Sequence, residues 1–264
     1  MSTSAEYYDR IQRVYEDLGF TAQGHEYSLC EVCSFAAGCW ANHEHRKPTG
    51  KDVSWSYISL PWVGEDYATC KVAFIGINPY EGGGLDFFPK LVPQAVRELE
   101  SGRRAVSFGI PRYRSLLWHR IGLYASSIVN RMISLNGEFG DLKPYQAYKT
   151  LAFVNHIKCS PTGDRSAPTN AMWNNCSYVL AKELEILRPN ILCVIGRGDN
   201  FVYTLRNLVR SHIPLDEIGN VRLAKGEVNG KEVLIINVPH TAAYGGSALK
   251  INEDLQRILG DVTL

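Results

Sequence analysis

No stretch of this chain approaches the roughly 20 apolar residues that a membrane-spanning helix needs, so nothing in it points to a bilayer. An excess of one charge is also lacking: 28 Lys and Arg stand against 27 Asp and Glu, a formal net charge of +1. No global field draws the chain to a polyanion, and any nucleic-acid face has to be local. Internal repeats and low-complexity tracts are missing, which excludes solenoids and compositionally disordered arrays. No charged-then-apolar leader opens the chain, because Met1 to Arg13 is polar and mixed in charge. The expectation is a cytoplasmic protein in a reducing setting. What is present is ordinary for a globular protein: 264 residues, 45% hydrophobic and 21% charged.

Cysteine is plentiful by comparison, at seven residues. In a reducing compartment, spaced cysteines read as metal or cluster ligands before disulfides. Cys30 and Cys33 have the two-residue gap that lets two thiolates grip one centre. Cys159 and Cys176 make a second pair. Four thiolates suit a [4Fe–4S] cluster or a structural zinc, and spacing leaves that choice open. Cys39 is a spare able to replace one ligand. Cys70 and Cys193 adjoin apolar strands and read as buried thiols.

Periodicity supplies the organisation. Tyr7, Ile11, Val14, Tyr15 and Leu18 recur at helical spacing between a Ser4 cap and a Gly19 stop. Residues 43–62 are polar, broken by prolines and glycine, and read as a loop. Short apolar runs predict strands over 72–77, 151–157, 191–196 and 233–238. Helices are expected over 114–135, 170–187, 199–210 and 247–259. Strands alternating with helices imply an α/β fold, three layers α/β/α around a central four-stranded, mainly parallel sheet. The whole chain, 1–264, reads as one domain with an extra N-terminal helix near 4–19.

In such a sheet, ligands bind beyond the carboxyl ends of the strands. Three strand ends carry polar groups there: Gly76-Ile77-Asn78-Pro79-Tyr80, then Asn155, then Pro239-His240-Thr241-Ala242-Ala243-Tyr244. Two amides and an imidazole are therefore expected in one crevice, with Phe87, Phe88 and Tyr80 nearby.

These motifs, in this order, resemble the uracil-DNA glycosylase superfamily, and the cysteines resemble its iron–sulfur branch, families 4 and 5. Gly76-Ile77-Asn78-Pro79 resembles the water-activating loop, in an Asn form. Tyr80 resembles an aromatic gate, and Asn155 resembles the base-reading Asn. Ser160 to Arg165 followed by Cys176 resembles the Cys-Arg-Pro-Pro-Gly-Asn-Arg stretch. His240 resembles the His that opens the His-Pro-Ser loop, although here the loop reads His-Thr-Ala-Ala-Tyr. The chain is longer than typical iron–sulfur members, with insertions near 43–62 and 90–112.

The resemblance implies a monofunctional DNA glycosylase that flips a pyrimidine out of DNA and hydrolyses its N-glycosidic bond. Asn78 would orient the water through its amide oxygen; it is no base, so slower chemistry is expected than with Asp. Asn155 matches the carbonyl and N–H edge of uracil. His240 would donate to the departing base as charge develops. Phe88, with Phe87, would stack on the base. Tyr244 would fill the gap left behind. Arg165, Lys158, Arg112 and Arg114 are candidate phosphate contacts. The resemblance decides for a [4Fe–4S] cluster on Cys30, Cys33, Cys159 and Cys176. The partner implied is DNA with a damaged or modified pyrimidine; no protein partner is evident. Two alternatives stand beside this: a relative acting on a bulky modified base in phage DNA as a defence, and a DNA-binding relative without catalysis.

Overall fold

A computed structural model describes residues 3–18, 28–29, 57–58, 60–77, 92–93, 96–97, 112–132, 141–158, 168–196, 198–240 and 248–260. Helix α1, Ser4–Asp17, starts on a capping box: the Thr3 hydroxyl accepts from Glu6 N–H, and the Glu6 carboxylate accepts from Thr3 N–H. The cap is therefore Thr3, one residue before the expected Ser4. Its apolar stripe buries Tyr7, Ile11 and Tyr15. Two short strands, β1 (Ser28–Leu29) and β2 (Tyr57–Ile58), pair antiparallel. β3 (Trp62–Val63) and the short helix α2 (Tyr67–Cys70) lead into β4 (Val72–Gly76). The stretch read as a loop over 43–62 thus contributes β2 and the start of β3.

Helix α3 (Arg112–Met132) precedes β5 (Leu151–Asn155). Then follow α4 (Asn170–Leu187), β6 (Ile191–Ile195), α5 (Asp199–Leu208), β7 (His212–Ile218), β8 (Val221–Val228), β9 (Lys231–Val238) and α6 (Ala248–Gly260). The main sheet has seven strands in the order β3-β5-β4-β6-β9-β8-β7. This corrects the expected four. Those four, β5-β4-β6-β9, form its parallel centre, and antiparallel β3 and the β8–β7 pair border it.

Every residue of β4, β5 and β6 is buried, which is why each reads as an unbroken apolar run. Alternate side chains go to opposite faces. Phe74, Phe153 and Ile236 meet Ile121, Tyr124 and Ile128 of α3 and Leu255 and Ile258 of α6. Ile75, Val154 and Val194 meet Ile11 and Tyr15 of α1 and Leu180 and Leu184 of α4. Truncating one of these core side chains to Ala costs about 2–5 kcal/mol.

The β7–β8 pair was not expected. β7 is exposed along nearly its whole length and carries Pro214, so no one-sided apolar pattern marks it. A signal does exist downstream. β8 and β9 are joined by Asn229-Gly230, both at positive φ (49° and 74°), as a tight hairpin turn requires. No helix among the described residues is long and apolar enough to cross a membrane.

Candidate active site

The chain runs from β4 to β5 on one side and to β6 on the other, so strand order reverses at β4 and β6. Ligand crevices form at such a switch point. The parallel strands end there on one level: Gly76 lies beside Asn155, and Ile195 beside Val238. A side chain built on Gly196 would come 3.8 Å from Ile77 Cδ1 and 3.9 Å from His240 Cβ. The exits of β4, β6 and β9 therefore converge.

Asn155 is 7% exposed. Its amide oxygen lies over Gly76, 2.7 Å from where a Cβ would stand, and Phe153 Cζ is equally near. Only a residue without a side chain leaves room for that amide. His240 has its imidazole pKa pushed down, first by burial and then by the positive charge of Arg120. At neutral pH it is an uncharged ring with one N–H to donate and one lone pair. Arg120, on α3, was not singled out in the sequence; nothing local marks it, since its approach to His240 depends on how α3 packs.

The backbone at these exits is held by buried side chains that sequence reasoning did not single out. Asn200, at the start of α5, donates to Ile195 O at 2.8 Å and Ile75 O at 3.2 Å. Asn237 donates to Val194 O and Gly196 O, both at 2.9 Å. His156 follows Asn155 and points to the opposite face. With both N–H groups of Asn200 engaged, its oxygen accepts from His156 Nδ1 at 3.1 Å, and Nε2 lies 2.7 Å from the Ser177 oxygen, whose hydroxyl donates to Trp173 O at 2.6 Å. Burial, then the nearby Lys158 charge, lower the His156 pKa to about 3. It is a neutral strut. The apolar neighbours of Asn155 concealed it, because an isolated His in a strand exit carries no signature of its own.

Lys158 corrects an expectation. It was a candidate phosphate contact, but its side chain is 4% exposed and paired with Glu183, itself 0% exposed. Buried in an ion pair, it has no surface to offer DNA.

Of the proposed cluster ligands, Cys176 lies within the described residues, while Cys30, Cys33 and Cys159 do not. The described residues accordingly contain no group of three metal-ligating side chains. Cys176, on α4, is a buried thiol packed with Ile157, Met172 and Trp173. Ile157 belongs to the run that continues into Cys159. Trp173 Nε1, one turn before Cys176, is buried without a hydrogen-bond partner among the described residues. A buried thiol beside an unmatched donor, next to the run leading to a second thiol, fits a sulfur-bearing group. Cys70 and Cys193 are buried thiols, as expected. Asn78, Tyr80, Phe87, Phe88, Arg165, Tyr244 and Cys39 lie outside the described residues, and Arg112 and Arg114 are described in their backbone alone.

The fold and these exits define an α/β protein with polar side chains gathered at the carboxyl edge of a parallel sheet. Residues 63–261 match the family model of the Uracil DNA glycosylase superfamily, and the chain belongs to that superfamily. It is similar to the type-4 uracil-DNA glycosylase of Archaeoglobus fulgidus, 32% identical over 96 residues, which cover 34% of this chain and 44% of that relative. The matched region thus spans less than half the length of that relative. The helix α1 precedes the residues matched by the family model.

Proposed function

We propose that this protein is a monofunctional DNA glycosylase that removes a pyrimidine, uracil in the first place, from DNA and leaves an abasic site. The observation that carries the reading is the Asn155 amide, buried over Gly76 at the switch-point edge, with Ile77 and His240 meeting beside Gly196 at the neighbouring strand exits. Membership of the superfamily and the similarity to a type-4 uracil-DNA glycosylase support it.

In this reading the base leaves the helix stack and enters the crevice, stacked on Phe88 or Phe87 and bounded by Tyr80. The amide of Asn155 pairs with the base's carbonyl and N–H edge. Asn78 orients a water toward the sugar as the glycosidic bond breaks. Negative charge then grows on the departing base, and the neutral His240 donates its N–H to that oxygen without transferring the proton. Gly76 and Ile77 form the floor. Tyr244 occupies the vacated stack, and Arg165 holds a phosphate. Cys30, Cys33, Cys159 and Cys176 would hold a [4Fe–4S] cluster. When bound, that group supplies a four-thiolate crosslink between the N-terminal segment and the run that follows Asn155.

The test is base release from duplex and single-stranded DNA carrying uracil, or 5-hydroxymethylcytosine with and without a sugar, read as abasic sites. Uracil release is the expected result. Release of the modified base alone would redirect the reading to bulky pyrimidines, and binding with no release would leave a non-catalytic DNA-binding protein. His240→Ala should lower the single-turnover rate by about 100-fold. Asn78→Ala with unchanged rate would remove the water-positioning role. Anaerobically purified protein should be coloured and contain iron; zinc without iron would overturn the cluster assignment.

A further inference from the structure

Lys158, displaced from the DNA surface, belongs to a buried chain of contacts that ends on the proposed base reader. Its Nζ donates to the main-chain oxygen of Asn155 at 2.5 Å and to the Glu183 carboxylate. The other Glu183 oxygen accepts from the Tyr15 hydroxyl. Tyr15 is 0% exposed and sits on α1, outside the residues matched by the family model. Burial, then the Glu183 charge, push its phenol pKa well up, so it stays a donor. The contacts therefore join the N-terminal helix to α4 and then to the end of β5.

The geometry explains why the Asn155 carbonyl needs such a partner. His156 N–H donates to Gly76 O, so His156 faces β4 and the main-chain groups of Asn155 face the other way, toward β3. There β3 pairs only with Ala152 and Phe153. The Asn155 carbonyl lies past the end of that ladder, and Lys158 meets it. The amide of the same residue is hemmed in by Gly76 on the β4 side. Its backbone carries its side chain, so a displacement of the Asn155 main chain would take the amide with it, away from the base edge.

A buried ion pair is weak evidence of a stability role, because apolar replacements of similar size often leave stability unchanged or raise it. A directional contact to the one residue that reads the base is what such a replacement would lose. We propose that Tyr15, Glu183 and Lys158 are positioning residues that clamp the Asn155 main chain and thereby hold its amide in reading orientation, with α1 recruited as part of the site. The proposal rests on the reading of Asn155 as the base contact.

The decisive variant is Lys158→Met with Glu183→Met, which removes the clamp without stranding a charge. Single-turnover uracil release should fall roughly tenfold or more, with DNA affinity unchanged, since small misplacements of a contact group carry costs of that order. In an Asn155→Ala background the same pair of changes should cause no further fall. Lys158→Arg/Glu183 should recover part of the rate. Tyr15→Phe keeps the ring and loses only the hydroxyl; it should show a smaller fall of about threefold with the same dependence on Asn155, and it carries the test should the double variant not fold. Hydrogen exchange of residues 155–158 should quicken in both variants. An equal fall in both backgrounds, no fall in either, or unchanged exchange at 155–158 would overturn the clamp. A wild-type protein that releases no base, or an Asn155→Ala variant as active as wild type, would instead sink the reading of Asn155, and the positioning role with it, even where exchange shows the contact to be present.

Discussion

Two ion pairs show how differently the two ends of this sheet are built. Lys158–Glu183, at the carboxyl edge of the parallel strands, is 4% and 0% exposed and continues into Tyr15 and the Asn155 carbonyl. Arg222–Glu217, across the β7–β8 pair, spans 3.1 Å with side chains 42% and 49% exposed. The first pair is shielded from water and salt and has fixed partners, the Asn155 carbonyl and the Tyr15 hydroxyl. The second is bathed in solvent, where side-chain entropy and screening consume most of its Coulomb energy. The same chemistry thus positions a residue at one edge and decorates a surface at the other. The same contrast runs through other polar groups: His156, Asn200 and Asn237 are buried with named partners, whereas β7 exposes Ile213 and Leu215 without harm to the core.

That contrast breaks most readily at the charges. Glu183→Ala strands a buried ammonium and should cost about 3–5 kcal/mol in denaturant unfolding. Glu217→Ala should cost less than about 1 kcal/mol in the same experiment. Equal losses would erase the distinction between the two edges.

A smaller loss is expected at Gly76. Its replacement by Ala places a methyl 2.7 Å from the Asn155 amide oxygen and from Phe153 Cζ. Overpacking of this kind costs about 1–3 kcal/mol. Uracil release, measured on protein still fully folded, should drop as well, because the amide is what gives way. Unchanged release would mean that the amide is not read.

Acid sharpens the comparison further. An unfolded His takes up a proton as pH falls through its ordinary value of 6.5, whereas folded His156 does so only near 3. Between those values the unfolded state binds more protons, so stability is lost as pH falls, by at most about 1.4 kcal/mol per pH unit from this group. The contribution is fully present above pH 6.5. His156→Gln should flatten that part of the stability profile, measured by thermal unfolding from pH 7 to 4. An unaltered slope would show that the strut is not neutral.

The smallest effects belong to the hairpin. Ile213→Ser, at a residue 67% exposed, should shift stability by no more than about 0.5 kcal/mol and leave base release as it was.

Legibility in the sequence followed burial. The apolar runs of β4, β5, β6 and β9 were visible because a strand buried on both faces has no choice of residue, and their polar ends at Gly76, Asn155 and His240 stood out against them. β7 escaped because an exposed edge strand imposes almost no pattern, although Asn229-Gly230 marked the turn beyond β8. Lys158 was misplaced for a different reason. A lysine before a cysteine and a loop looks like surface charge, and its partner Glu183 lies on a separate helix whose inward face is mostly apolar.

The residue run Asn155-His156-Ile157-Lys158 shows where the division falls. By itself the sequence determined the class of fold, the superfamily and the strand ends that carry polar chemistry, because periodicity and motif order are properties of the chain. Only the tertiary structure decided what each polar side chain in that run does. Asn155 lies over Gly76 on one face, His156 turns to α4 and α5 on the other, and Lys158 folds back to clamp the carbonyl of Asn155. Those roles depend on which helix covers which face and on whether water reaches the group, and a charge or an imidazole has no fixed meaning until both are known.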